Sequence, residues 1–169
     1  MSKRNAILTE VTQLSSRNEF KGTQAHHSSN IYKKLNVKLP VKVLLVDDEK
    51  EFVQTLSERL QMRDMGTAVV YDGKSALDRV RNDAPEVMII DLKMPGINGM
   101  EILKKVKQTK PEIEIIVLTG HGSGQDKKKC MDLGAFAYLQ KPVDINLLIQ
   151  TLKKAHEKTR PGKKTKSGE

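Results

Sequence analysis

Asp47 and Asp48 directly follow the apolar run Val43 to Val46, and Asp91 follows Val87 to Ile90. Thr119 follows Ile115 to Leu118, and Lys141 stands just past a fifth run that reaches Leu139. Three carboxylates brought together repel one another and cannot all stay ionised cheaply without a cation. A hard divalent ion is the natural remedy. Mg²⁺ takes oxygen ligands and keeps several waters, which suits an open acidic cluster that meets a phosphate. A fixed ammonium and a hydroxyl are the groups that bind the equatorial oxygens of a phosphoryl group in transfer. These five side chains therefore suit metal-assisted chemistry at phosphorus, provided the fold brings them to one place.

The elements that must do so are legible as alternating periods. Val43 to Val46, Thr67 to Tyr71, Val87 to Ile90, Ile113 to Leu118 and Ala135 to Leu139 read as five short β-rich strands. Helical spacing separates them, through Phe52, Leu56, Leu60 and Met62, then Ala76, Leu77 and Val80, then Ile102, Leu103 and Val106. A weaker helix covers Gln125 to Leu133, opened by Gly122, Ser123 and Gly124, and a last one carries Leu147, Leu148, Leu152 and Ala155. Asp72 with Gly73, and Pro95, Gly96 and Gly99, supply turns. Five βα units predict an α/β domain with a doubly wound, five-stranded parallel sheet. In such sheets functional groups gather beyond the carboxyl ends of the strands.

The charge of +9 is uneven. Residues 1–40 hold seven Lys or Arg against Glu10 and Glu19, and residues 158–169 hold five against Glu169. The stretch 41–157 is neutral, with eighteen basic and eighteen acidic residues. The expected organisation is a basic polar N-terminal extension (1–40), one domain (41–157) and a basic tail (158–169), with a faint helical pattern in Ile7, Leu8, Val11 and Leu14. Basic ends around a neutral domain argue against direct nucleic-acid binding by the domain. Cys130 is the single cysteine, so neither a disulfide framework nor a cysteine metal site is possible within the chain. No run approaches the ~20 apolar residues of a membrane helix, and no sustained apolar segment follows Lys3 and Arg4 as in a secretory signal. A cytoplasmic protein without membrane contact is expected.

The runs VLLVDDE, VMIIDLKMPGINGMEIL, VLTGHG and GAFAYLQKP, in this order over Val41 to Glu157, resemble the receiver domain of bacterial two-component response regulators. A lone DD pair is usually a solvated turn and a lone Lys-Pro a loop. Their joint occurrence, each at its own strand end, carries the resemblance. It implies the flavodoxin-like (βα)5 receiver fold. It further implies that Asp91 takes a phosphoryl group from the phosphohistidine of a sensor histidine kinase or a histidine phosphotransfer protein. Asp48, Asp91 and the backbone carbonyl of Lys93 would bind Mg²⁺, and Asp47 would help to hold it. Lys141 would pair with the acyl phosphate and Thr119 would hydrogen-bond it.

Tyr138 would be the aromatic switch that turns into space vacated by Thr119, and Lys141-Pro142 would be a cis peptide. Lys93 and His121 occupy places that tune the lifetime of the phosphoryl group in this family, although a histidine in such a loop is usually a rim residue. The changed face of the fourth helix, fifth strand and fifth helix would regulate a downstream protein. Lys127, Lys128, Lys129, Lys153 and Lys154 would steer an acidic partner to it, unless they are only a solvated surface. The chain would be no enzyme toward other substrates, catalysing only its own phosphorylation and slow dephosphorylation, as a stand-alone receiver or a piece of a longer regulator. A haloacid-dehalogenase-type phosphatase would place an acid two residues after the nucleophile, where Lys93 stands. A flavodoxin-like electron carrier would need a Ser, Thr and Gly cradle in place of Asp47 to Glu51.

Overall fold

The first buried run forms β1 (Lys42–Val46), and the chain then alternates through α1 (Lys50–Gln61), β2 (Gly66–Val70), α2 (Gly73–Asn82) and β3 (Val87–Ile90). It continues through α3 (Gly99–Thr109), β4 (Glu114–Thr119), α4 (Gly124–Asp132), β5 (Ala137–Gln140) and α5 (Ile145–Thr159). The structure is a computed structural model and describes residues 41–159. The pattern at Ile7, Leu8, Val11 and Leu14, the extension 1–40 and the tail from Arg160 onward lie outside the described residues. The expected end of the domain at Glu157 falls inside α5, which runs on to Thr159.

All strand pairs are parallel, in the order β2-β1-β3-β4-β5. Side chains alternate across each strand, so the sheet buries two cores. Leu44, Val46, Met88, Ile90, Ile115 and Val117 pack with residues of α2, α3 and α4 on one face. Val43, Leu45, Val87, Ile89, Ile116 and Leu118 pack with residues of α1 and α5 on the other. From β1 the chain leaves to one side for β2, and β3 lies on the other. The loops that follow β1 and β3 therefore diverge and open a crevice between them, the place where doubly wound sheets bind ligands.

Several expectations shift in phase. The buried stripe of α1 is Val53, Leu56, Ser57 and Leu60, spaced i, i+3, i+4 and i+7, which leaves Phe52 half-buried and Met62 83% exposed past the helix end. On α5 the inner stripe includes Leu148, Ile149, Leu152 and Ala155, and Leu147 is 49% exposed. β5 begins two residues later than expected, because Ala135 closes the turn after α4 by donating its N–H to Cys130 O. The weakly apolar α4 buries only Cys130, and a capping box between Ser123 and Asp126 starts it.

Candidate functional site

The last rungs of the ladder hold the acids. Asp47 N donates to Val70 O at 3.2 Å, and Asp91 N donates to Val46 O at 2.9 Å, so both backbones are fixed by neighbouring strands. The loop after Asp91 folds back against it: a Cβ at Gly99 would lie 2.0 Å from the Asp91 carbonyl oxygen, so only glycine fits there. Asp47 and Asp91 are buried and Asp48 is exposed. Each offers a carboxylate oxygen, and these oxygens lie within 4.8 Å of one another, a separation one cation can bridge. The donor set is all oxygen, which fits a hard divalent ion such as Mg²⁺.

Lys141 closes the cluster. Its Nζ lies 2.7 Å from Asp47 Oδ2, 2.8 Å from Glu49 Oε1 and 3.8 Å from Asp91 Oδ1, and 4.3 Å from the centre of the Phe52 ring. Burial pushes the Asp47 carboxyl up, and the bonds from Lys141 and Glu49 N only partly offset this. Burial would likewise weaken the Lys141 ammonium, but its bonds to Asp47 and Glu49 and the charge of Asp91 outweigh it and hold the group above the ordinary lysine value. The Glu49 carboxyl is lowered by its bond to Lys141.

The remaining expected residues are at the same rim. Thr119 is fully buried; its carbonyl accepts from Lys141 N at 3.0 Å, and its Oγ1 accepts from His121 N at 3.3 Å. Lys93 N donates to Asp91 Oδ2 at 3.0 Å, which brings its peptide to the cluster. The Lys141-Pro142 bond is cis. Tyr138 lies on β5 next to this cluster. Its hydroxyl is buried and lacks a hydrogen-bond partner, and a Cβ at Gly122 would stand 1.5 Å from it and 3.2 Å from the Thr119 methyl. The hydroxyl is thus tucked against Gly122, beside Thr119. The side chains of His121 and Lys93 are exposed at the rim.

Sequence reasoning missed three participants: Glu49, Phe52 and Gly122. Glu49 was visible only as one acid among several after the Asp47-Asp48 pair. Helical spacing alone places Phe52 in the helix core and Gly122 at the opening of a helix.

Comparison with known proteins shows the family. Residues 43–153 match the family described as the response regulator receiver domain. The chain belongs to that family. It carries a receiver domain of a two-component response regulator. The response regulator MprA of Mycolicibacterium vanbaalenii is 29% identical over 73% of this chain and 53% of its own length. The chain therefore spans about half the length of the curated relatives it matches. A response regulator receiver domain protein of Clostridium thermocellum is 32% identical with a TM-score of 0.66, over 69% of this chain and 94% of that one. The BeF3-activated DrrB receiver domain is 29% identical with a TM-score of 0.64, over 70% and 98%. Among the described residues, no helix of this receiver is long and apolar enough to cross a membrane.

Proposed function

We propose that the domain, taken as residues 41–157, is a cytoplasmic phosphoacceptor switch in which Asp91 receives a phosphoryl group from the phosphohistidine of a sensor histidine kinase or histidine phosphotransfer protein. The observation that carries this reading is the meeting of the Asp47, Asp48 and Asp91 carboxylates within 4.8 Å, with Lys141 Nζ 3.8 Å from Asp91. Asp47, Asp48, Asp91 and the Lys93 carbonyl would hold Mg²⁺, which supplies charge neutralisation for the transferring group.

A carboxylate oxygen of Asp91 forms the new O–P bond as the P–N bond of the donor breaks. The imidazole nitrogen keeps that electron pair. Lys93 N holds one Asp91 oxygen in place, and Lys141 offers its ammonium to the incoming oxygens. Burial of Asp91 limits water, while exposed Gly120 leaves the approach open.

Phosphorylation adds a charge of about −2. Thr119 can exchange its long 3.3 Å bond from His121 N for a donation to the phosphoryl group, and Lys141 can exchange its carboxylates. Those differential contacts shift the population of states. As Thr119 moves toward the phosphoryl group it would vacate space beside Gly122, and Tyr138 would turn into it. The face of α4, β5 and α5 responds, and the exposed Lys127, Lys128, Lys129, Lys153 and Lys154 there suit an acidic protein partner.

The test is labelling by acetyl phosphate with Mg²⁺. One base-labile phosphoryl group per chain is expected, absent in Asp91→Asn and when a chelator removes the Mg²⁺. Labelling that persists in Asp91→Asn would reject the acceptor, and steady turnover of a small phosphoester would favour a phosphatase instead.

A further inference from the structure

Lys141 is held by Asp47, Glu49 and Asp91, and of these only Glu49 lies outside the acid triad. We infer that Glu49 is a positioning residue that restrains Lys141 on the α1 side of the site and competes with an incoming phosphoryl group for its ammonium. The inference rests on the phosphoacceptor reading above and adds a restraint to it. Lys141 Nζ sits 2.8 Å from Glu49 and 3.8 Å from Asp91, so the ammonium is drawn away from the acceptor. The Phe52 ring, also on α1, covers it at 4.3 Å from the ring centre.

A second observation concerns the helix. Glu49 occupies the N-cap of α1, where a short polar side chain would accept from a free helical N–H, yet its side chain makes no such bond. The carboxylate reaches instead to Lys141, far along the chain. A divalent cation held by the triad would engage Asp47 and would leave Glu49 as the partner Lys141 retains. Phosphorylation must then break this pair. Because the Glu49 side chain is 64% exposed and caps nothing, Glu49→Gln removes the charge without opening the core.

The experiment uses the full chain with saturating Mg²⁺ and two readouts: beryllofluoride affinity by fluorine NMR, and the rate at which an amine-acylating reagent modifies Lys141, followed by mass spectrometry without beryllofluoride. Glu49→Gln should bind beryllofluoride about two- to fivefold more tightly, and Lys141 should be acylated faster by a similar factor, the range expected for a half-exposed ion pair. Affinity that is unchanged or weaker overturns the restraint. Tighter binding with an unchanged acylation rate also overturns it, because the carboxylate would then act on the anion directly and not through Lys141. Wild-type protein that binds no beryllofluoride is a separate result: it removes the phosphoacceptor reading itself and this inference with it.

Discussion

Asp48→Asn should make the domain more stable without metal and less stable with it. Lys141 is committed to Asp47 and Glu49 at 2.7 and 2.8 Å and lies 3.8 Å from Asp91. Asp48 therefore adds repulsion against Asp47 and Asp91, with the three carboxylates within 4.8 Å. Two unit charges about 4 Å apart cost about 1 kcal/mol in water and about 4 kcal/mol at an effective dielectric of 20. Asp48 is exposed, which places its share near the lower value. Removing that charge should stabilise the metal-free domain by about 1 kcal/mol, raising Tm by about 4 °C. Saturating Mg²⁺ reverses the order, because wild type gains about 2.7 kcal/mol at a hundredfold excess over Kd while the variant has lost a ligand charge. Calorimetric melts in chelator and in Mg²⁺ measure both gaps. If Asp48→Asn melts below wild type in chelator, or if the gap is the same with and without Mg²⁺, crowding of unneutralised carboxylates does not govern this site.

Tyr138→Phe should raise stability by about 1 kcal/mol in urea unfolding, because the buried hydroxyl it removes has no hydrogen-bond partner; a loss above that size would reveal a hidden bond. Lys141 and Tyr138 are both raised, from 10.5 and 10.0, so each contributes stability that is full below its unfolded value and lost as pH climbs through the folded one. Unfolding free energy should accordingly fall above about pH 10, and Tyr138→Phe with Lys141→Met should flatten that slope. Asp47 is raised from 3.8, so its contribution is present below that pH and fades as pH rises; Asp47→Asn should remove this acid-side component from the pH profile of stability. Gly99→Ala should cost about 1–3 kcal/mol or more, because its Cβ meets backbone at Asp91 O that cannot rotate away; an unchanged urea midpoint would contradict the close approach.

The fold was legible because strands buried on both faces are continuous apolar runs. Val87 to Ile90 and Val43 to Val46 could be little else, and each ends in the acid that matters. Amphipathic phase was harder to read where apolar residues sit side by side. Phe52 beside Val53 and Leu147 beside Leu148 offer two registers, and only packing on the sheet selects one. Glu114 shows a further limit. It opens β4 while buried, a place where a carboxylate is costly, and Lys158 at 3.0 Å and Lys107 at 3.6 Å make it tolerable. Neither lysine is marked as its partner by spacing along the chain.

By itself the sequence determined which residue types stand at the strand ends, because period and polarity are local properties of the chain. The tertiary structure alone decided who touches whom across it. Lys141 reaches Asp47 and Glu49 from the far side of the primary sequence, and the Tyr138 hydroxyl is buried where Gly122 has no side chain to exclude it. Such pairings depend on strand order and loop path, and ångström distances between distant segments are set by the packing of both cores together.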